Sequence, residues 1–314
     1  IRIRQLAAPG ETEIAQLGAV LLDCVQGGAS VSFMAPLSQA KAVEFWRGAA
    51  EEARLGLRLL LVAEDAHGGI VGTVSVVPAQ PDNQPHRADV SKMLVTRSAR
   101  RRNAGALLLQ AAEQAALAAG RTLLVLDTAS EEAARLYERA GWQRCGRIPW
   151  YALLPDGTPC ATTVYFKLLH AFRPFAAADA AACLALFDAN CPEFFAPNER
   201  ADYEGFLACV GEGYQVCLSG DRLVGAFGLF ESPGGIARLN WILMSPHVQG
   251  AGLGGAVLRQ VLQQARARRI GRISIAASHK SAPFFAHFGA RAVRETADGW
   301  GPGMHRIDMH LQIS

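Results

Sequence analysis

This sequence predicts an α/β fold in two tandem copies, each a mixed central sheet with helices on both faces. Three observations carry that expectation. At 314 residues the chain exceeds one ordinary core and suits two domains of roughly 150 residues each. Strand-like and helix-like apolar patterns alternate along it, in the same order twice. Landmarks also recur at a fixed distance: Arg100 and Gln249, in corresponding basic or glycine-rich turns, lie 149 residues apart, and Tyr137 and Phe285, in corresponding short helices, lie 148 apart. Solenoid repeats run roughly 20–50 residues, so a period this long marks a duplicated or fused domain.

In the first half, residues 1–6 alternate as a strand, and 11–25 and 39–55 carry helical apolar spacing. Residues 58–64 and 70–77 are strands on either side of a His67-Gly68-Gly69 turn, a hairpin signal. A polar loop with Pro81 and Pro85 leads to a strand over 87–95. Residues 103–119 are helical up to Gly120, 122–127 form an apolar strand, and 131–140 a short helix stopped by Gly141. Two strands close the half, near 143–153 and 162–169. The second half repeats the order: strand from Phe172, helices 177–188 and 200–210, hairpin strands 214–219 and 223–231, strand 236–244, helix 252–268, strand 272–276, short helix 282–288, strands 292–296 and 305–312. The boundary falls near His170, giving domains 1–169 and 170–314 that together make a pseudo-dimer within one chain, itself monomeric or homodimeric.

Composition narrows the function. With 50% apolar and 19% charged residues the chain has the balance of a soluble globular protein, and no apolar run approaches the roughly 20 residues of a membrane helix. A net charge of +3 is too mild to suggest nucleic acid. The seven cysteines are scattered, odd in number and without a C-x-x-C pair, which argues against a disulfide framework and for a reducing, cytoplasmic setting. The first residues lack the features of a secretory signal. No metal is expected: there is no H-E-x-x-H, and His305 and His310 point to opposite faces of a strand.

The most informative segment runs from Met244 through Gln249, Gly250, Ala251, Gly252, Leu253 and Gly254 into a helix. Glycines there let backbone N–H groups converge on one concavity, and the helix adds unsatisfied N–H groups and a partial positive end. Such a bend suits a phosphate group. A merely glycine-lubricated helix start is the plainer alternative. The segment has no Walker A ending. The first half carries a looser copy, Arg100-Arg101-Arg102-Asn103-Ala104-Gly105-Ala106, in which Asn103 replaces the first glycine of the spacing. Asn tolerates left-handed backbone better than other L-residues, so the turn is expected to survive, with arginines suited to phosphates.

The Q/R-x-x-G-x-G/A spacing resembles the signature of the GNAT superfamily of N-acetyltransferases. The first half looks like its tabtoxin-resistance kind, through Gly27-Gly28-Ala29-Ser30-Val31, Asn83-Gln84-Pro85-His86, Leu126-Asp127-Thr128, Tyr137-Glu138-Arg139-Ala140-Gly141-Trp142 and Ile148-Pro149-Trp150-Tyr151. The second half is similar to another branch, through its glycine-rich turn and Pro283-Phe284-Phe285. The resemblance implies a sheet whose fourth and fifth strands splay around acetyl-CoA. It places the pantetheine on the backbone of Met93, Leu94 and Val95, or of Leu243 and Met244, and the pyrophosphate on the two turns. It implies transfer of an acetyl group to a small amino-acid-like or antibiotic-like amine.

For that chemistry the resemblance puts a carboxylate on strand four and a Tyr in the short helix after strand five. The first half offers Asp89, Asp127 and Tyr137, the two carboxylates holding and deprotonating the amine and the phenol protonating the thiolate. Strand alternation sets Asp89 on the face of Ser91 and Met93. His86 is a weaker candidate for base, and Phe33, Met34, Trp150 and Tyr151 are candidates for an apolar acceptor wall. In the second half Phe285 and Arg238 stand where an acid and a base belong, leaving Asn240, Glu231 or His279 acting through water. Two rivals stay open: catalysis only in the second half, or a non-catalytic acyl-CoA-binding pseudo-dimer.

Overall fold

The computed structural model describes residues 1–248, 250 and 252–313. The chain divides into two compact units, Ile1–Leu169 and His170–Ser314, each with its own seven-stranded sheet. In the first, β1 (Arg2–Leu6), α1 (Glu11–Gln26), α2 (Gln39–Arg54), β2 (Leu59–Glu64), β3 (Ile70–Val77), β4 (Arg87–Val95), α3 (Ala104–Ala118), β5 (Leu123–Thr128), α4 (Glu131–Arg139), β6 (Gln143–Leu153) and β7 (Pro159–Leu168) follow in order. The sheet runs β1-β2-β3-β4-β5-β7-β6, antiparallel except between β4 and β5.

Local chemistry sets these elements. Helix α1 begins where the Glu13 carboxylate reaches back 2.7 Å to the Gly10 N–H, satisfying a donor the helix leaves free. Its Ile14, Leu17, Leu21 and Val25 recur every three or four residues and bury a stripe against the sheet. In α4 the Ser130 hydroxyl caps the Ala133 N–H at 3.3 Å. Two cores result. Leu17, Leu21 and Trp46 of α1 and α2 cover one face of the sheet, and Leu108 and Leu109 of α3 with Tyr137 of α4 cover the other.

The second unit repeats the plan with β8 (Ala171–Pro174), α5 (Ala180–Asn190), α6 (Glu199–Cys209), β9 (Tyr214–Ser219), β10 (Arg222–Ser232), β11 (Ile236–Met244), α7 (Leu253–Ala267), β12 (Arg272–Ser278), α8 (Ala282–His287), β13 (Arg291–Gly301) and β14 (Met304–Gln312). Its sheet order, β8-β9-β10-β11-β12-β14-β13, is that of the first unit strand for strand.

Both sheets are splayed. β4 pairs with β5 only at Arg87–Leu123, Ala88–Leu124 and Asp89–Val125, although β4 continues to Val95 and β5 to Thr128. β11 pairs with β12 only from Ile236–Arg272 to Leu239–Ile275. Beyond those pairs the strands part, and main-chain groups on that side of β4 and β11 are left without a ladder partner.

A β-bulge lies within each splay. Ser75 pairs with Ser91 but Thr73 pairs with Leu94, so β4 carries one extra residue, and Lys92 there adopts φ +50°. In β11 the same step falls between Asn240 and Leu243, with Trp241 at φ +46°. One extra residue reverses the alternation of side chains. Ala88 and Val90 therefore face α3 before the bulge, as Met93 and Val95 do after it, while Leu94 turns toward α1 and α2. Unbroken alternation had set Asp89 on the face of Met93; the bulge sets it on the opposite face.

Candidate active site

In the first unit the parted strands open a cleft of about 1140 Å³, lined by β4, the turn into α3, the end of β5 and α4. Met93, Leu94 and Val95 line it from the strand, and Ala104, Gly105 and Ala106 from the first turn of the helix. Between them Arg101 and Asn103 are left-handed, at φ 59° and 65°. In the second unit the same places hold Gly250 and Gly252, at φ 74° and 86°. Asn103 and Gly252 share ψ 3°, and their carbonyls accept the first helical bonds, from Leu107 at 3.1 Å and Ala256 at 3.0 Å. Asn103 thus holds the backbone shape that glycine adopts without strain. The sequence offers both residues for the phosphate turn and foresees the left-handed backbone at Asn103 but not at Arg101; the spacing that aligns Arg101 with Gly250 is the signal for it.

The last glycine of each turn has a different task. A Cβ on Gly105 would stand 3.2 Å from Leu136 of α4, and one on Gly254 would stand 2.6 Å from the Phe284 ring of α8. The missing side chain lets the short helix close over the turn. Of the arginines, Arg100 donates from Nε to the Val95 carbonyl at 3.4 Å and Arg97 is held by Asp23 at 2.9 Å. Arg101 lines the cleft and makes no hydrogen bond or ion pair among the described residues, whereas Arg102 lies outside the lining.

Tyr137 faces the cleft from α4 with its ring 5.8 Å from that of Trp142 and 5.9 Å from that of Tyr165. It is 4% exposed, and its hydroxyl has no hydrogen-bond partner among the described residues. Burial, and then the nearby Asp127 carboxylate, push this phenol well above the usual tyrosine range, so it stays protonated. Asp127 sits two residues past the last β4–β5 pair, at the mouth of the splay, and accepts a 2.8 Å hydrogen bond from the Thr162 hydroxyl. Asp89 is not brought into the site. It stays at the closed end of the splay, bound by Arg87 at 3.1 Å and the Gln80 amide at 3.2 Å. His86 is exposed and also lies outside the lining.

Lys92 is a cleft residue that sequence reasoning missed. From the bulge it donates to Ser32 Oγ at 3.1 Å, with its ammonium 5.4 Å from the Phe45 ring centre. Burial and then Arg58 draw it below the ordinary lysine range, opposed by Asp127. The loop before α2 closes the far end through Ala35 N–H to Pro155 O at 2.9 Å and Ser30 Oγ to Leu153 O at 3.2 Å. Phe33, Met34 and Tyr151 line that end; Trp150 is 82% exposed and does not.

The second unit has a cleft of about 490 Å³ lined by Met244, Gly250, Gly252, Leu253 and Gly254. Gln249 and Ala251 lie outside the described residues. The Leu243 side chain is buried in the core on the α5–α6 side, so only its main chain could serve a ligand. Phe285, 2% exposed, stands in place of Tyr137, and Ala276 in place of Asp127. Asn240 lines the cleft. Glu231 instead lies 4.0 Å from Arg268, and His279 Nδ1 accepts the His305 N–H at 3.2 Å. Among the described residues no group of His, Cys, Asp or Glu is arranged to hold a metal ion, and no helix is long and apolar enough to cross a membrane.

Residues 57–144 match the model of the acetyltransferase (GNAT) domain, and residues 183–290 that of the acetyltransferase (GNAT) family, so that together the matches span more than half of the chain. The chain belongs to the GNAT family. It is a tandem of two GNAT domains, and its enzyme class is that of an acyltransferase. Solved GNAT-type structures resemble about half of it. An N-acetyltransferase from Staphylococcus aureus Mu50 is 18% identical over 54% of this chain and 98% of that one, at a TM-score of 0.46. A ribosomal-protein-alanine N-acetyltransferase from Brucella melitensis is 22% identical over 54% and 100%, at 0.45. A GNAT superfamily phosphinothricin acetyltransferase from Sinorhizobium meliloti, in complex with AcCoA, is 16% identical over 54% and 88%, at 0.46.

Proposed function

We propose that the first GNAT unit transfers the acetyl group of acetyl-CoA to the amine of a small, amino-acid-like molecule by direct attack. One observation carries this: a single cleft holds a protonated phenol (Tyr137) with no partner among the described residues, a carboxylate (Asp127) and a half-buried ammonium (Lys92), next to a left-handed turn into a helix.

The turn residues 101–106 offer main-chain N–H groups and the α3 N-terminus to the pyrophosphate, with Arg101 free to pair with it. On its β5 side the main chain of β4 at Met93–Val95 has no ladder partner, and its N–H groups there are placed to polarise the thioester carbonyl. An alkyl ammonium has a pKa of about 10, so a proton must leave before the nitrogen attacks. Asp127 holds that ammonium and passes its proton to water. The nitrogen bonds to the thioester carbon, the carbon–sulfur bond breaks with its electron pair to sulfur, and Tyr137 protonates that sulfur; the second proton released by the nitrogen passes through water to restore the phenol. Lys92 pairs with a carboxylate on the acceptor, since a cation weakened by burial gains most from a bound anion. Asp89, fixed by Arg87 outside the cleft, takes no part.

The test is thiol release from acetyl-CoA with a panel of amino acids and their decarboxylated counterparts. Lys92→Met should raise KM for carboxylate-bearing acceptors about tenfold or more and leave KM for acetyl-CoA unchanged. Equal use of acceptors with and without the carboxylate would defeat the reading.

A further inference from the structure

The second unit furnishes the far end of its cleft quite differently. Phe194 and Phe195 enter from the loop before α6, Trp241 from the β11 bulge and Trp300 from β13. Phe195 lies 6.2 Å from Trp241 at an interplanar angle of 24°, and Tyr203 backs Trp241 at 4.8 Å. The set is pinned: Trp300 Nε1–H donates to Ala277 O at 3.1 Å, and the Asn198 amide donates to Trp300 O at 3.0 Å. At the bulge position, where the first unit has the cation Lys92, the second has the indole of Trp241. Where the first has Asp127, the second has Ala276.

Among these rings stands one carboxylate. Glu199, the first residue of α6, lines the cavity and is 7% exposed. Its Oε2 accepts the Ala196 N–H at 2.7 Å, and it forms no ion pair among the described residues. Burial, opposed by that hydrogen bond, raises its carboxyl above the ordinary range. A buried carboxylate without a cation is costly, and a ligand that brings one removes the cost. The cation in the lining, Lys280, is exposed at the β12–α8 turn and forms no ion pair with Glu199.

We infer that the second cleft takes an amine with an apolar, ring-sized body and no carboxylate, its ammonium against Glu199 and its body among Phe194, Phe195, Trp241 and Trp300. The aromatic faces attract the cation as well as the hydrocarbon. In the accompanying transfer, Glu199 takes one proton from the ammonium, and the freed nitrogen lone pair forms the N–C bond to the thioester carbonyl carbon of acetyl-CoA. The C–S bond breaks with its electron pair to sulfur. The second nitrogen proton ends on that sulfur, giving the amide and the thiol, and Glu199 returns its proton to water. No acid is required at Phe285. The binding claim stands apart from the function proposed for the first unit; the transfer claim also needs the second turn to hold acetyl-CoA.

Titration calorimetry on the full chain without coenzyme A tests the binding claim, with 2-phenylethylamine, 2-phenylethanol and phenylalanine as probes. The amine should bind at one site, about tenfold or more tighter than either analogue. Glu199→Gln keeps an oxygen for the Ala196 N–H, so the turn persists, and should erase that preference. Equal binding of amine and alcohol by the wild type, preference for phenylalanine, or undiminished amine binding by Glu199→Gln would each overturn it. Thiol release with 2-phenylethylamine is then followed in Tyr137→Phe protein, where the first unit is silenced. A drop of about tenfold or more on adding Glu199→Gln is expected. No release before that second change overturns the transfer claim and leaves the function of the first unit untouched.

Discussion

Replacing Tyr137 by Phe removes one oxygen and separates catalysis from packing, because of how that hydroxyl is placed. It has no hydrogen-bond partner among the described residues, while the ring stays packed between Trp142 and Tyr165. Losing it breaks no internal bond, so the unfolding free energy should move by no more than about 0.5 kcal/mol. A positioned acid is worth about 10²–10⁴ in rate, or about 3–5 kcal/mol of barrier, so kcat should fall at least about 100-fold with KM for acetyl-CoA unchanged. Tyr165 in the same aromatic cluster supplies the control, since its hydroxyl donates to Glu138 at 2.9 Å. Tyr165→Phe should destabilise by about 1–3 kcal/mol and spare kcat. Thiol-release kinetics and urea unfolding on both variants give the comparison. Because burial and Asp127 raise the Tyr137 phenol above its ordinary value, the acid stays protonated as pH rises. The wild-type kcat should show no alkaline fall below the usual tyrosine pKa of about 10. A Tyr137→Phe enzyme that keeps kcat within about threefold, or loses it only in step with stability, would refute the assignment.

Two further outcomes follow from the same geometry. Arg101 holds a left-handed backbone that costs an L-residue about 1–2 kcal/mol, so Arg101→Gly should raise unfolding free energy by about 0.5–1 kcal/mol after the entropy glycine adds to the unfolded chain. It should also weaken acetyl-CoA binding to the first unit about five- to tenfold; a less stable variant by urea unfolding would contradict the strain argument. His170 has both ring nitrogens buried without a hydrogen-bond partner among the described residues, and burial, with Arg259 adding to it, lowers its pKa to about 4. Its folded pKa is depressed, so the unfolded chain binds the extra proton, and stability is lost as pH falls from the ordinary histidine value of about 6.5 toward that level. About 2 kcal/mol is at stake after allowing for partial exposure, and His170→Gln should flatten that part of the urea-unfolding profile between pH 7 and 4.5.

Much of the fold was legible because its signals are local. Periodicity, glycine stops and hairpin turns place the strands and helices within a few residues, except β13, expected over 292–296 and running on to Gly301, and the recurrence of the Arg100 turn at Gln249 reveals the tandem. The tight, left-handed turn into α3 and into α7 was legible for the same reason. The acceptor ends were not. Whether β4 carries an extra residue depends on its register with β3, which no stretch of β4 discloses, so the alternation carried back from Val95 put Asp89 on the wrong face. Lys92 reads as an ordinary strand lysine until the bulge turns it toward Ser32. Glu199 reads as one more acidic residue in a first helical turn, where the helix dipole favours it. Only the rings that surround it in the folded unit give it another meaning. Trp150 errs in the other direction: its size suggests a wall, and the β6 edge leaves it in solvent.

The comparison between the units separates what the backbone supplies from what the side chains choose. Both keep the same splay, the same bulge, at φ 50° in Lys92 and 46° in Trp241, and a left-handed residue before the helix. In the second unit glycine occupies both left-handed turn positions, whereas the first holds them with Arg101 and Asn103 and accepts the strain. Strain retained where glycine would remove it marks side chains kept for contact with a ligand. In the transfer proposed for the first unit that contact for Arg101 is the pyrophosphate, whereas the second unit has Gly250 at this position and offers main-chain N–H alone. The same logic reaches the bulge, where neither unit uses glycine. Lys92 and Trp241 occupy one backbone site with opposite chemistry, which is the ground for proposing acceptors of different charge. On the two proposals made above, a duplicated scaffold that repeats one donor turn and reverses what it presents to the acceptor serves two substrates rather than one substrate twice.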